Sequence, residues 1–237
     1  MASNNPGTGT LAPLIAVVGC DGSGKSTLAA ALLDWIGQQR PADTAYLGLG
    51  SGNIGNRIKQ WPLIGPPFEA YLARKAGQAR RKDAKIPGLP TALVIYGFTL
   101  LRLRRFNAML AKRRRGIMIV TDRYPQIEVP GFYDGPGLSA ARAEGRIVQW
   151  LSQRERRLYE DMAAHVPDLV IRLNIDAETA LARKPDHKRA SIEAKVAVTP
   201  QLSFNGAPIV DLDARMDYAE ELELAKAAVT QALAGIG

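Results

Sequence analysis

Gly19-Cys20-Asp21-Gly22-Ser23-Gly24-Lys25-Ser26-Thr27 stands between an apolar run, Leu14 to Val18, and an Ala/Leu-rich segment, Leu28 to Leu33. The stretch fits GxxxxGK[ST] in the setting that pattern needs, a strand, a glycine turn and a helix. Polyphosphate oxygens must approach several backbone N–H groups together, so Gly19, Gly22 and Gly24 fall where a Cβ would block the approach or forbid the dihedrals. The helix then opens with unpaired N–H groups and the positive end of its dipole, and both favour an anion. Residues Gly19, Asp21, Gly22, Ser23, Gly24, Lys25, Ser26 and Thr27 are therefore expected to hold a nucleoside triphosphate. Within that site Lys25 is expected to reach the terminal phosphates and the Ser26 hydroxyl to bind Mg²⁺. An ordinary glycine turn opening a helix is the bland alternative, and the flanking strand and helix weigh against it.

The chain has 237 residues, 46% of them hydrophobic, enough for a substantial core in one large α/β domain or two small ones. Its single cysteine, Cys20, excludes an internal disulfide framework. No charged start followed by an apolar h-region opens the chain, so a cytoplasmic location is the default expectation. Residues 1–13 are small and polar with Gly and Pro, and read as a disordered leader before one domain over 14–237. The longest apolar stretch in the middle, Thr91 to Leu101, is short of the roughly 20 residues that cross a bilayer.

The net charge of +8 is unevenly placed. Residues 54–115 hold fifteen lysines and arginines against only Glu69 and Asp83, so the rest of the chain is net acidic. Such a block concentrates an anionic partner: a phosphorylated substrate, a nucleic acid or an acidic membrane surface. A solvated helix face is the competing reading.

Five short aliphatic or β-branched runs bounded by turn residues read as strands: Leu14 to Gly19, Asp43 to Leu49, Gly116 to Thr121, Asp168 to Asn174 and Ala207 to Leu212. Between them, helical spacing covers Lys25 to Gln39, Ile54 to Arg115, Leu138 to His165 and Ala177 to Val196, with a last helix over Met216 to Leu233. Pro62 to Pro67 and Pro87 to Pro90 break the middle region into at least three pieces, a helical insertion on the sheet. The alternation predicts a three-layer αβα fold on a five-stranded parallel sheet, with ligands at the carboxyl ends of the strands.

The third run delivers Asp122-Arg123-Tyr124 at its carboxyl end. A carboxylate there can hold Mg²⁺ together with Ser26, and the Arg123 fork suits a phosphate. In isolation such a pair is usually a turn or a surface ion pair.

VxGxDGSGKST followed by a strand ending in DRY resembles the thymidylate kinase family of P-loop nucleotide kinases. The resemblance extends to Phe132-Tyr133-Asp134-Gly135-Pro136-Gly137-Leu138, similar to that family's AYQGxGxGL, and to Asp168 through Asp176 and Ala180 to Arg183. It covers residues 14–40 and 116–190 well and the region between them poorly. It implies an ATP- and Mg²⁺-dependent phosphotransferase and, by analogy, a homodimer. Asp21 would contact the acceptor and order the site, Asp122 and Arg123 would serve metal and acceptor phosphate, Tyr133 would lie against the acceptor, and Arg102 would match a helix arginine contacting acceptor phosphate or base. Residues 183–196 resemble a mobile lid over ATP. With no cation in the phosphate loop before Lys25, Arg183 and Arg189 are the candidates to spread charge over the transferring group. An exposed helix turn with solvated charges is the alternative for this segment.

Several positions depart from the family. Its Arg-Glu-Pro-Gly-Gly type segment after the second strand is replaced by Leu47-Gly48-Leu49-Gly50-Ser51-Gly52-Asn53-Ile54-Gly55, and Val18 replaces its usual glutamate. Donor chemistry thus reads as retained and the acceptor pocket as rebuilt. A phosphate acceptor is already ionised and needs no general base, whereas a sugar or nucleoside hydroxyl would need Asp21 or Asp122 to take its proton. The positive block favours a small-molecule anionic acceptor, phosphorylated or otherwise polyanionic.

Cys20 reads as a small space-filling residue rather than a redox switch. His165 reads as a cap or packing residue, and Phe98 and Phe106 as core rather than base-stacking residues. A nucleotide-switched binding protein for a polyanion is the second function class, and a regulatory GTPase a third. The GTPase reading is disfavoured because the chain lacks NKxD and Asp134 to Gly137 meets DxxG only formally.

Overall fold

The fold is described from a computed structural model over residues 11–48, 88–132, 134–140 and 143–235. The chain runs β1 (Leu14–Gly19), α1 (Lys25–Gly37), β2 (Ala42–Thr44), α2 (Gly88–Arg114), β3 (Met118–Thr121), α3 (Arg146–Ala163), β4 (Leu169–Asn174), α4 (Ala177–Arg183), α5 (Arg189–Val198), β5 (Ile209–Asp213) and α6 (Tyr218–Ala234). The five strands form one sheet in the order β2-β3-β1-β4-β5, and every neighbouring pair is parallel. The three-layer αβα architecture read from the sequence is the architecture of the protein.

β1 is the centre because all six of its residues are buried, as a strand covered on both faces requires. Ile15 and Val17 face Leu28, Leu32 and Ile36 of α1, Ile192 of α5, and Ala225 and Val229 of α6. Leu14, Ala16 and Val18 face Phe106, Met109 and Leu110 of α2 and Tyr159 and Met162 of α3. Removing each of these large side chains from water stabilises the fold by about 1.5–3 kcal/mol. The two cores lie on opposite sides of one strand because successive side chains alternate.

α2 is one helix of 27 residues whose buried stripe, Ala92, Ile95, Phe98, Thr99, Arg102, Phe106, Met109 and Arg113, repeats at helical spacing. Pro90 in its first turn sacrifices no intrahelical bond. Gly116 ends the helix at φ +80, a conformation cheap for glycine, and Ile117 N–H closes the turn on the Lys112 carbonyl at 3.2 Å. Phe98 and Phe106 both lie in the core, and His165 packs its ring 5.6 Å from Phe106.

Several boundaries differ from the sequence reading. β2 pairs with β3 only over Ala42–Thr44; residues 45–48, expected to continue the strand, do not, and Leu49 lies outside the described residues. Leu138 to His165 is a short 3₁₀ turn, Leu138–Ala140, and then α3, separated by Gly145 at φ +87. Ala177 to Val196 is two helices, because Pro185 cannot continue α4. Leu11 to Pro13, expected within the disordered leader, are held: Ala12 exchanges hydrogen bonds with Arg113, and the Pro13 carbonyl accepts from Ile119 N–H at 2.9 Å. Residues 1–10 and 49–87, with most of the expected insertion, lie outside the described residues. Among the described residues no helix is long and apolar enough to cross a membrane.

Candidate active site

Gly19 closes β1, and a Cβ there would meet Ser23 Oγ at 2.5 Å and the Leu173 carbonyl at 2.9 Å. Gly22 sits at φ +87, and a Cβ on it would stand 2.9 Å from the Ala180 carbonyl oxygen, so β4 and α4 close the loop from behind. Gly24 at φ +88 occupies the N-cap of α1 without offering a side chain to cap it, and a Cβ there would meet nothing within 4 Å. No side chain caps the N-terminus of α1, the arrangement an anion site requires. Ser23 and Cys20 are buried beneath the loop, Cys20 at 4.0 Å from the Ile192 carbonyl, as a space-filling residue would be.

Ser26 Oγ donates to Asp122 Oδ2 at 2.9 Å, across 96 residues of sequence. The expected metal pair is thus assembled, and a hydroxyl beside a carboxylate is the hard oxygen set that suits Mg²⁺. Lys25 Nζ lies 3.4 Å from the Cys20 carbonyl oxygen and 3.6 Å from Asp21 Oδ1. Burial lowers the Lys25 pKa, and Asp21 opposes that shift.

A cleft of about 80 Å³ opens beside the loop, lined by Asp21, Lys25, Asp122, Arg123, Asp134 and Lys195, with Val18, Tyr124 and Phe204 at its floor. Asp21 is claimed there by a cation the sequence reading passed over: Lys195 of α5 pairs directly with its carboxylate. Burial alone would raise the Asp21 pKa, but Lys195, with help from Lys25 and Arg123, holds it down to about 2. His187 Nε2 stands 3.8 Å from the same carboxylate.

Arg123 lies in the cleft with Asp134, at 3.5 Å. Burial works against its charge, and Asp134, Tyr46, Asp21 and Asp122 outweigh it. Asp134, at φ +63, belongs in sequence only to the Phe132–Leu138 segment and a formal DxxG match, yet in the fold it links two arginines. Arg102, expected to contact the acceptor, does not line the cleft. It is 0% exposed, pairs with the Asp134 carboxylate, and donates to the Asp134 carbonyl at 2.5 Å and Tyr159 Oη at 3.0 Å. An arginine on the buried stripe of α2 has no route to solvent, so it acts through Asp134. Glu155, also fully buried, accepts from Gly137 and Leu138 N–H at 3.1 and 2.7 Å and fixes the same loop. Tyr133 lies outside the described residues.

Of the two lid arginines, one reaches the phosphate loop and the other does not. Arg183 Nη1 donates to the Gly22 carbonyl at 3.2 Å, and Arg189 forks onto the Glu178 carboxylate on the surface. In the described part of the basic block, Arg102 and Arg113 are buried, Lys112 pairs with Asp43 at 2.7 Å, and Arg105 donates to the Gly48 carbonyl at 2.5 Å. Four of the seven cations between 88 and 115 thus hold the fold together. Arg105 also lies over the Tyr46 ring, 5.5 Å from its centroid, and so ties α2 to the turn after β2.

No family model matches the chain. The Escherichia coli K12 ATP-binding protein YghS is 49% identical over 221 residues, 93% of each chain. YghR of the same organism, also an ATP-binding protein, is 45% identical over 218 residues, 92% of this chain and 86% of YghR. Among solved structures, deoxyadenosine kinase from M. mycoides with bound dATP superposes with a TM-score of 0.52 at 17% identity, covering 92% of this chain and 99% of that one. That likeness is one of fold. The identity to YghS and YghR along almost the whole length has a firmer consequence: the chain belongs to the family of these ATP-binding proteins.

Proposed function

We propose that the protein is a Mg²⁺- and ATP-dependent phosphotransferase that moves the γ-phosphoryl group of ATP to an anionic acceptor such as a nucleoside monophosphate. The observation that carries this reading is the Ser26–Asp122 contact of 2.9 Å at the uncapped N-terminus of α1, beside Lys25. ATP binding by YghS and YghR supports the donor, and the resemblance to thymidylate kinases makes thymidylate the first acceptor to try. A cytoplasmic location belongs to the same reading.

The α1 N–H groups and Lys25 would hold the donor's β- and γ-phosphates. Ser26 and Asp122 would hold Mg²⁺, which when bound neutralises charge on the phosphate oxygens. Arg123 would orient the acceptor phosphate. Transfer breaks the bond between the γ-phosphorus and the β,γ-bridging oxygen, which leaves with ADP, and forms a bond to an acceptor phosphate oxygen already ionised, so no proton moves. A hydroxyl acceptor would need a base: Lys195 holds the Asp21 pKa down to about 2, which leaves Asp122 as the carboxylate to take the proton.

Incubation with labelled ATP, Mg²⁺ and a panel of nucleotides, nucleosides and phosphosugars tests the reading, with acceptor-dependent ADP release expected. Lys25→Ala is expected to abolish turnover. Phosphoryl transfer retained in that variant, or no calorimetric binding of Mg-ATP, would overturn the assignment. Salt-sensitive binding of DNA or anionic vesicles without turnover would favour the polyanion-binding alternative.

A further inference from the structure

The segment from α5 to β5 is a strap fixed at both ends. Ile192 of α5 is buried in the core shared with α1 and α6, while Leu202 and Phe204 are buried in the core on the opposite face of the sheet, with α2 and α3. Between them the chain passes beside the phosphate loop, with the Ile192 carbonyl 4.0 Å from Cys20 Sγ and Lys195 on Asp21. Its far end is pinned twice more. Arg172 Nη1 donates to the Leu202 carbonyl at 2.9 Å, and the Glu128 carboxylate accepts from Ser203 N–H, Ser203 Oγ and Asn205 N–H at 2.6, 2.8 and 2.9 Å. Phe204 and Asn205 take left-handed backbone angles, φ +48 and +59, and Phe204 lines the cleft.

Lys195 projects from this strap onto Asp21, on the carboxylate oxygen opposite the one nearest Lys25. The Lys25 side belongs to the donor phosphates, because the N–H groups of α1 lie there. The cleft that Lys195 shares with Lys25 is also lined by Arg123, Tyr124 and Asp134, all from the segment after β3. An ammonium carries three donors, and Asp21 occupies one of those on Lys195. The side chain retains 32% of its exposure, and so meets whatever enters the cleft.

We propose that the strap from α5 through Phe204 is the acceptor-side wall of the cleft, and that Lys195 binds the phosphate of a phosphomonoester acceptor while remaining on Asp21. The proposal rests on the phosphotransferase reading and names the group that recognises its acceptor. It also distinguishes Lys195 from Arg183 and Arg189, whose donors point to Gly22 and Glu178.

The test uses the full-length protein with Mg²⁺ and a non-hydrolysable ATP analogue, titrated with nucleoside 5′-monophosphates and with the matching nucleosides. Lys195→Met and the uncharged, polar Lys195→Gln are expected to weaken binding of the best monophosphate about ten- to hundredfold, the range for a lost charged hydrogen bond. Analogue affinity and binding of the matching nucleoside are expected to stay unchanged, and Lys195→Arg to restore most of the loss. Unchanged monophosphate affinity in both neutral variants, or an equal loss for the nucleoside, would overturn the proposal. So would a loss confined to the ATP analogue. A wild-type protein that binds nucleosides but no monophosphate would overturn it while leaving the kinase reading standing, whereas a wild-type protein that binds no ATP analogue would overturn both.

Discussion

Replacing Asp134 by Ala should be the most damaging single change near the cleft that touches no donor phosphate. Its carboxylate is the counter-ion of Arg102, which is 0% exposed and whose other contacts are the Asp134 carbonyl and Tyr159. Burial lowers the Arg102 pKa, and Asp134 with Tyr159 more than restores it, so the guanidinium stays charged inside the protein. Removing one partner of a buried pair costs about 3–5 kcal/mol, because the other charge is left uncompensated. For a chain of this size that lowers Tm by about 6–20 °C. Asp134→Asn retains an acceptor and tolerates φ +63, so its cost should be nearer 1–3 kcal/mol. Arg102→Met combined with Asp134→Asn removes both charges and should recover stability relative to Asp134→Ala. Urea unfolding followed by the fluorescence of Trp35 and Trp150 measures all three. A loss under about 1 kcal/mol for Asp134→Ala, or a double variant no better than the alanine, would refute the buried-pair argument.

Gly22→Ala forces a Cβ to within 2.9 Å of the Ala180 carbonyl at φ +87, and should cost about 1–3 kcal/mol with loss of calorimetric ATP binding. Asp122→Asn should weaken binding of Mg-ATP by at least about tenfold while metal-free ATP binding changes little, as a titration with and without EDTA reads. Asp21 has its pKa depressed from 3.8 to about 2, so its stabilising contribution is complete above pH 4 and is lost as the pH falls through 2. In Lys195→Met the loss should begin at higher pH in an acid-unfolding titration. Tyr124 donates its hydroxyl to the His165 carbonyl, and burial pushes that phenol's pKa up. Tyr124→Phe should therefore cost about 1–3 kcal/mol in denaturant unfolding.

The β1–loop–α1 unit was legible because glycine positions and apolar periodicity are local signals. The Ser26–Asp122 pair was legible because each half carries its own short motif. The break at Pro185 was also written in the sequence, but the helical composition on either side concealed it. Gly145 concealed the start of α3 in the same way. What no local pattern announced was pairing over long separations: Lys195 with Asp21, or Asp134 between Arg102 and Arg123. A lysine in a charged helix and an arginine in a basic one look solvated until the fold shows what stands opposite. The positive block illustrates the reverse error, since much of its described charge neutralises carboxylates and caps carbonyls inside the fold.

The central place of β1 also sets a problem during synthesis. Its six buried residues emerge before those of its neighbours in the sheet, and β3 follows only after about 100 further residues and β4 after about 150. At about 5–20 residues per second on the ribosome, the most apolar strand waits on the order of 5–30 s for a neighbour. Nascent chains ending before Thr121 should therefore bind holdase chaperones strongly, and those reaching past Asn174 should release them.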